Sequence, residues 1–176
     1  MKQITALVSA LIFILSPLLS HAQEYSGGTP FLRNYSHEEY KGENQNFAVC
    51  QDNRGVMYFA NNKAVLEFDG RSWRQIYMPD RETIYALGKD PNGRIYVGAS
   101  KGQLGYLAAD KAGQMKYRSL KDKLPDEHAD FNLIRDIVFP KDGKILFISP
   151  LAIYTYNGKK FKVHTMCPAP HPPPPP

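Results

Sequence analysis

The sequence predicts an all-β chain, on three observations: a phrase that recurs three times, turn-forming residues at fixed places within it, and apolar runs of strand length between the turns. QDNRGVMYFANN (residues 51–62), KDPNGRIYVGAS (89–100) and FPKDGKILFISP (139–150) each set an Asp and a Gly ahead of a run rich in Val, Ile, Tyr and Phe. Gly, Asn and Asp supply the positive φ or the local side-chain bond that a tight turn needs, and β-branched and aromatic residues suit a pleated surface. No window of comparable length carries the 3.6-residue period of an amphipathic helix.

At the start of the chain, Lys2 precedes an apolar run from Ile4 to Leu19, and Ser20-His21-Ala22 places small residues where a signal peptidase reads. Residues 1–22 therefore read as a secretory signal cut after Ala22. The alternative, an uncleaved anchor, needs about 20 apolar residues; this run is shorter and contains Pro17. Either reading puts the rest of the chain in an exported compartment, periplasmic or secreted. No Cys lies just after the signal, which argues against a lipid-anchored protein.

Residues 23–46 form a lead-in segment. The first repeat (47–77) divides into strands near 47–51, 56–60, 64–69 and 72–77, with turns at Asp52 to Gly55, Asn61 to Lys63 and Asp69 to Arg71. Aligning the copies on Gly55, Gly93 and Gly143 places an aromatic thirteen residues on in each: Phe68, Tyr106 and Tyr156. Gly70 with Trp73 and Gly158 with Phe161 follow in the first and third copies. The middle copy takes a few extra residues before presenting Gly113 and Tyr117 in those roles. This defines repeats at 78–120 and 121–164. A four-stranded unit recurring every 38 to 50 residues is the signature of a β-propeller blade, because one small antiparallel sheet cannot bury both faces alone. Closed propellers need about four to eight blades, so three copies predict an incomplete propeller that either associates with its own kind or opens a longer chain. The tail, 165–176, reads TMCPAPHPPPPP and is expected to be extended polyproline II: a linker, a ligand for a proline-binding domain, or a truncated or out-of-frame reading.

Composition narrows the function. With 176 residues, 43% hydrophobic and 22% charged, the chain has enough apolar material for one ordinary domain. The net charge of +5 is scattered among acids, so no basic stripe suggests nucleic acid as a partner. Two cysteines, Cys50 in an apolar run and Cys167 in the tail, make neither a disulfide framework nor a metal motif.

Gly98-Ala99-Ser100-Lys101-Gly102 matches the G-x-S-x-G nucleophile elbow in letters, but that motif needs a strand, a sharp turn and a helix. QLGYLAAD, which follows, reads as another strand, so a hairpin turn is the better account. Asp126, Glu127, His128 and Asp130 crowd one linker and read as a solvated loop rather than a converging cation site. DNRG and DPNG lack the later glutamate of a calcium loop and are turns. Tyr58, Phe68, Trp73, Tyr96, Tyr106, Tyr117 and Phe161 recur at matched places and are expected in the packing between sheets. No cofactor, metal or catalytic residue is expected. Binding residues are expected where the inter-blade links and the second-to-third strand turns emerge together: Gln45, Asn46, Asn61, Asn62, Arg81, Glu82, Ser100, Lys101 and Gln103. Their amides, hydroxyls and charges suit a hydroxyl-rich or zwitterionic ligand.

NYSHEEYKGENQNFAVCQDNRGVMYFANNKAVLEFDGRSWRQI, DPNGRIYVGASKGQLGYL and KYRSL resemble the opening of the periplasmic sensor region of two-component regulators with propeller repeats and a triple-tyrosine module, a family known mainly from Bacteroidetes-type bacteria. The likeness spans residues 29 to 160, with Gln45-Asn46, Leu66-Glu67-Phe68-Asp69-Gly70 and Gly105-Tyr106-Leu107 as its more specific groupings. The resemblance implies a non-catalytic extracytoplasmic input domain recognising an extracellular ligand linked to nutrients or polysaccharides. It also implies downstream blades, a triple-tyrosine module and a cytoplasmic kinase or helix-turn-helix output as partners. Two rivals differ in class: a propeller lyase or glycosidase, which needs convergent carboxylates or a His-Tyr pair on one face, and a self-assembling protein-binding scaffold.

Overall fold

The structure, a computed structural model, describes residues 32–128 and 132–166. The signal segment, the lead-in up to residue 31, Asp130 and the run from Cys167 onward lie outside them. Residues 32–34, which group with the N-terminal unit, are exposed and without regular structure; Tyr35 onward forms the compact unit that carries the fold.

What repeats in the sequence is a turn. Asp52 Oδ1 accepts the N–H groups of Arg54 (2.8 Å) and Val56 (3.1 Å), and Gly55 follows at φ 85°. Asp90 repeats the pattern with Asn92 and Arg94, both at 2.9 Å, ahead of Gly93 at φ 86°. Asp110, Asp69 and Asn157 build three further hairpin ends in the same way, each accepting two backbone N–H groups; in the third copy Asp142 stands directly before Gly143 (φ 76°) and accepts only one backbone N–H, that of Lys144, at 3.1 Å. A short acceptor side chain and a left-handed glycine close the chain locally, which is why Asp and Gly recur together.

Among the described residues, twelve strands lie between these turns in three antiparallel sheets, each built only from consecutive strands. The first holds β1 (Asn46–Gln51), β2 (Met57–Asn61), β3 (Ala64–Phe68) and β4 (Trp73–Tyr77). The second holds β5 (Ile84–Lys89), β6 (Ile95–Ala99), β7 (Leu104–Ala109) and β8 (Met115–Ser119). The third holds β9 (Asp136–Val138), β10 (Ile145–Ile148), β11 (Ala152–Tyr156) and β12 (Phe161–Thr165). β12 is followed by a further bond from the Met166 N–H to Leu151 O, at 2.7 Å, so Thr165 and Met166 belong to this sheet. These are the blades of an incomplete β-propeller.

Face-to-face packing follows the period of two. Tyr58, Ala60, Val65 and Ile76 of the first blade meet Ile84, Ile95, Val97, Ala99 and Leu107 of the second. The opposite face of the second blade presents Ala86, Tyr96 and Leu104 to Ile137, Ile145, Phe147, Tyr154, Tyr156 and Phe161 of the third. Two glycines let the sheets approach. A Cβ on Gly98 would stand 2.4 Å from Ile134 Cγ2, and one on Gly88 would stand 2.7 Å from the Phe139 ring. At the outer rim, Arg74 is held by Glu67 and donates from Nη1 to Met115 O of the next blade at 3.2 Å.

The aromatic thirteen residues past the turn glycine does not occupy one place in all three blades. Phe68 pairs with Met57 and Tyr156 with Ile145, two residues past their glycines, but Tyr106 pairs with Tyr96, three past its own. The turn from β6 to β7 contains four residues, Ser100 to Gln103, where β2 to β3 contains two, and the longer turn moves the partner strand along. A one-residue slip turns a side chain to the other face. Tyr106 therefore joins the cluster facing the third blade, while Leu107, the partner of Tyr117, takes the place that Phe68 and Tyr156 hold.

A strap precedes the first blade. Ser36 caps a single helical turn, α1 (His37–Tyr40), in a reciprocal bond with Glu39, and Lys41 ends it in the left-handed conformation at φ 55°. Tyr35 and Tyr40 lie on Trp73, at ring-centroid distances of 5.3 and 5.4 Å, and Tyr35 also meets Phe68 at 5.1 Å. The outer half of the first blade's free face is thus covered, while Val49 on its inner half is 58% exposed.

Candidate functional site: the link end of the blades

In an up-and-down blade, the second-to-third strand turn and the link to the next blade emerge at the same end. The backbone ties them together here. Ser100 N donates to Thr83 O (3.0 Å) in the link before the second blade, and Lys101 N donates to Asn132 O (2.7 Å) in the link after it. All the sequence-predicted binding residues lie at this link end, but the structure separates them into three kinds.

Asn61 is not available to a ligand. It is fully buried; its Oδ1 accepts the Glu43 N–H at 2.9 Å, and its Nδ2 faces Glu43 O (2.7 Å), Gln45 O (2.9 Å) and Asn46 Oδ1 (2.8 Å). Every polar atom of the amide is used to clamp the strap to β2, which corrects the expectation of a binding role. Gln45 and Asn46 serve that clamp through the Gln45 carbonyl and the Asn46 amide oxygen, yet both residues stay exposed at the start of the innermost strand.

The second group centres on Glu82, which is 8% exposed. Its carboxylate accepts Ser100 Oγ at 2.6 Å and faces Lys101 Nζ at 3.1 Å. The Ser100 hydroxyl, opposed by burial and assisted by the Lys101 ammonium, holds Glu82 below its ordinary value. Ser100 thus spends its proton on a carboxylate, in a turn between two strands with no helix after it. Gln103, also 8% exposed, has a buried Oε1 with no hydrogen-bond partner among the described residues.

The third group lies outward. Asn62 and Arg81 line a recess with Lys41, Lys63, Gln75 and Tyr77. The Arg81 guanidinium sits 5.0 Å from the centre of the Tyr77 ring, and Lys63 Nζ meets Glu43 Oε1 at 2.5 Å.

Two aromatics at this end escaped the sequence reading. The pairing of β1 with β2 shifts between Asn46 and Ala48, and that of β5 with β6 shifts between Ile84 and Ala86. The residues at these bulges, Phe47 and Tyr85, are half-buried, and their rings are 4.8 Å apart on adjacent innermost strands. Bulges re-aim side chains in this way. A signal was present: each aromatic precedes an Ala and stands eight residues before its turn glycine. Elsewhere, Glu127 and His128 lie 3.6 Å apart, and among the described residues no three His, Cys, Asp or Glu side chains converge as a metal site would require.

This geometry has counterparts in solved structures. The extracellular domain of a protein described as a hybrid two-component system from B. thetaiotaomicron matches 69% of this chain with a TM-score of 0.52 at 14% identity. The chain spans 16% of that domain's length. The same region of a second such system from that organism gives a TM-score of 0.48 at 14% identity, over 69% of this chain and 17% of that one. A protein of unknown function from Bacteroides caccae gives 0.46 at 17% identity, over 70% and 46%. No protein-family model and no curated protein matches the chain. At these identities the likeness is one of fold.

Proposed function

We propose that the chain is part of an extracytoplasmic, non-catalytic β-propeller input domain of a two-component signal transduction regulator, and that it takes part in recognising an extracellular ligand. The observation that carries the reading is the stack of three consecutive four-stranded blades, the fold shared with the extracellular domain of a hybrid two-component system. The ligand faces the link end, where the exposed Gln45 and Asn46 directly precede Phe47, whose ring meets that of Tyr85. Amides flanking aromatic rings suit a carbohydrate, whose hydroxyls need donors and acceptors and whose C–H faces stack on rings.

Downstream blades are the proposed structural partners. Leu146 and Ile148 stand three and five residues past Gly143, the offsets at which Tyr58 and Ala60 are buried against a following blade. In the third blade they remain only partly covered, and Val138 beside them is 39% exposed.

The test is calorimetric titration of the exported chain with a panel of oligosaccharides, run beside turnover assays on the same panel. Saturable binding without turnover, reduced by Phe47→Ala and Tyr85→Ala, is the expected result. Turnover of any panel member, or binding indifferent to both substitutions, overturns the assignment.

A further inference from the structure

The recess at the outer edge of the link end has a feature that ordinary turns lack. Among the described residues, the left-handed backbone conformations at the opposite end all fall on glycine: Gly55, Gly70, Gly93, Gly113, Gly143 and Gly158. At the link end they fall on Lys41 (φ 55°), Lys63 (69°), Asp80 (56°), Arg81 (50°) and Lys101 (48°), with Gly102 the exception. A side chain in this conformation is disfavoured relative to glycine. The same chain uses glycine for the same geometry elsewhere, so four cations, and Asp80 with them, stand here against the local backbone preference.

Three of them converge. Lys41, Lys63 and Arg81 line one recess of about 200 Å³ together with Asn62 and Gln75. Against three positive charges the recess holds one carboxylate, Glu43, which is engaged by Lys63. Lys41 and Arg81 have no carboxylate partner among the described residues, and the stacking of Arg81 on Tyr77 leaves the guanidinium edge free to donate. The volume is below that of a pocket enclosing a whole drug-sized ligand. It fits one charged group and the atoms next to it.

We propose that this recess binds an oxyanion, a carboxylate or sulfate group borne by a small ligand, with Arg81 and Lys41 as its charged contacts and Asn62 as a neutral donor. The inference rests on the reading of the link end as the ligand-facing side and gives that ligand a charge.

The experiment titrates the full chain with glucuronate, with sodium sulfate and with glucose. Glucuronate or sulfate is expected to bind saturably, glucose at least tenfold more weakly, and the anion's affinity to fall as salt is raised, as exposed charge pairing requires. Binding by glucuronate alone identifies a sugar carboxylate as the source; equal competition by sulfate identifies any oxyanion. The decisive variant is Lys41→Gly with Arg81→Gly, which removes both cations while relaxing the backbone. Anion affinity is expected to drop at least tenfold while the unfolding midpoint holds or rises, so lost binding is not lost folding. Unchanged affinity in that variant, or no saturable binding of either anion to the parent, overturns the site. Glucose bound as tightly as glucuronate also overturns it, but leaves the ligand-sensing role standing; sulfate bound with neither sugar upholds the site and removes sugars as the ligand class.

Discussion

Replacing Asn61 by Ala tests the buried amide that ties the strap to the chain's first blade. The amide has one acceptor and two donor hydrogens, all satisfied by the strap and the start of β1. At about 1 kcal/mol net per bond, the truncation removes roughly 3 kcal/mol. That is a large share of the roughly 5–15 kcal/mol by which domains are stable. With a urea dependence of about 2 kcal/mol per molar, the midpoint should fall by about 1.5 M. Trp73, the chain's single tryptophan, lies under Tyr35 and Tyr40 and reports the event by fluorescence. Circular dichroism at the β-sheet wavelength follows the sheets in the same samples. If the strap detaches locally, the Trp73 transition precedes the sheet transition; if the blade depends on the strap, the two move together. A midpoint within about 0.3 M of the parent by both probes, equivalent to roughly 0.6 kcal/mol, would refute the view that Asn61 is a structural clamp.

Gly98→Ala should destabilise by about 1–3 kcal/mol, because the new methyl meets Ile134 in the packed seam between the second and third blades; combining it with Ile134→Ala should cost less than the sum of the two single changes, whereas additive thermal shifts would contradict the contact. Ser100→Ala should cost about 1 kcal/mol by removing a donor to Glu82 while leaving hydrolysis of a generic ester unaltered; a clear loss of esterase activity would revive a nucleophilic role. The Glu82 carboxyl is held below its ordinary value of 4.5 by Ser100. At Asp52, burial pushes the carboxyl up, but Arg54 and two backbone N–H donors outweigh it and leave it below 3.8. Both folded-state values lie under the unfolded ones, so their stabilisation is complete above those ordinary values and lost as the pH falls through and below them. The urea midpoint should be level above about pH 5 and drop through pH 4 and 3; a midpoint still level at pH 3 would contradict it.

The parts of the fold legible in the sequence are those fixed by short-range chemistry. An Asp or Asn closing its own turn onto a left-handed Gly needs no tertiary context, so the hairpins and the strands between them could be read directly. Tyr106 was misaligned because a two-residue lengthening of one turn leaves the spacing to the next aromatic unchanged while altering which strand position it meets. Asn61 looked like any other turn amide; only burial under the strap distinguishes it, and a single helical turn such as His37–Tyr40 is too short to announce itself by periodicity. The candidate site was legible as an end of the blades but not as groups of residues. Phe47 and Tyr85 meet because two bulges coincide in space, and Lys41 joins Arg81 from forty residues away.

Each sheet is completed by its own neighbouring hairpins and lends no strand to the next. A unit of this kind can be duplicated or deleted as a block without rewriting its internal pairing, since what must match is the facing surface and a few contacts such as Arg74 with Met115 O. Such a lineage can vary the number of its units and the chemistry of one rim independently, the first by copying whole segments and the second by point changes in loops that leave the scaffold untouched.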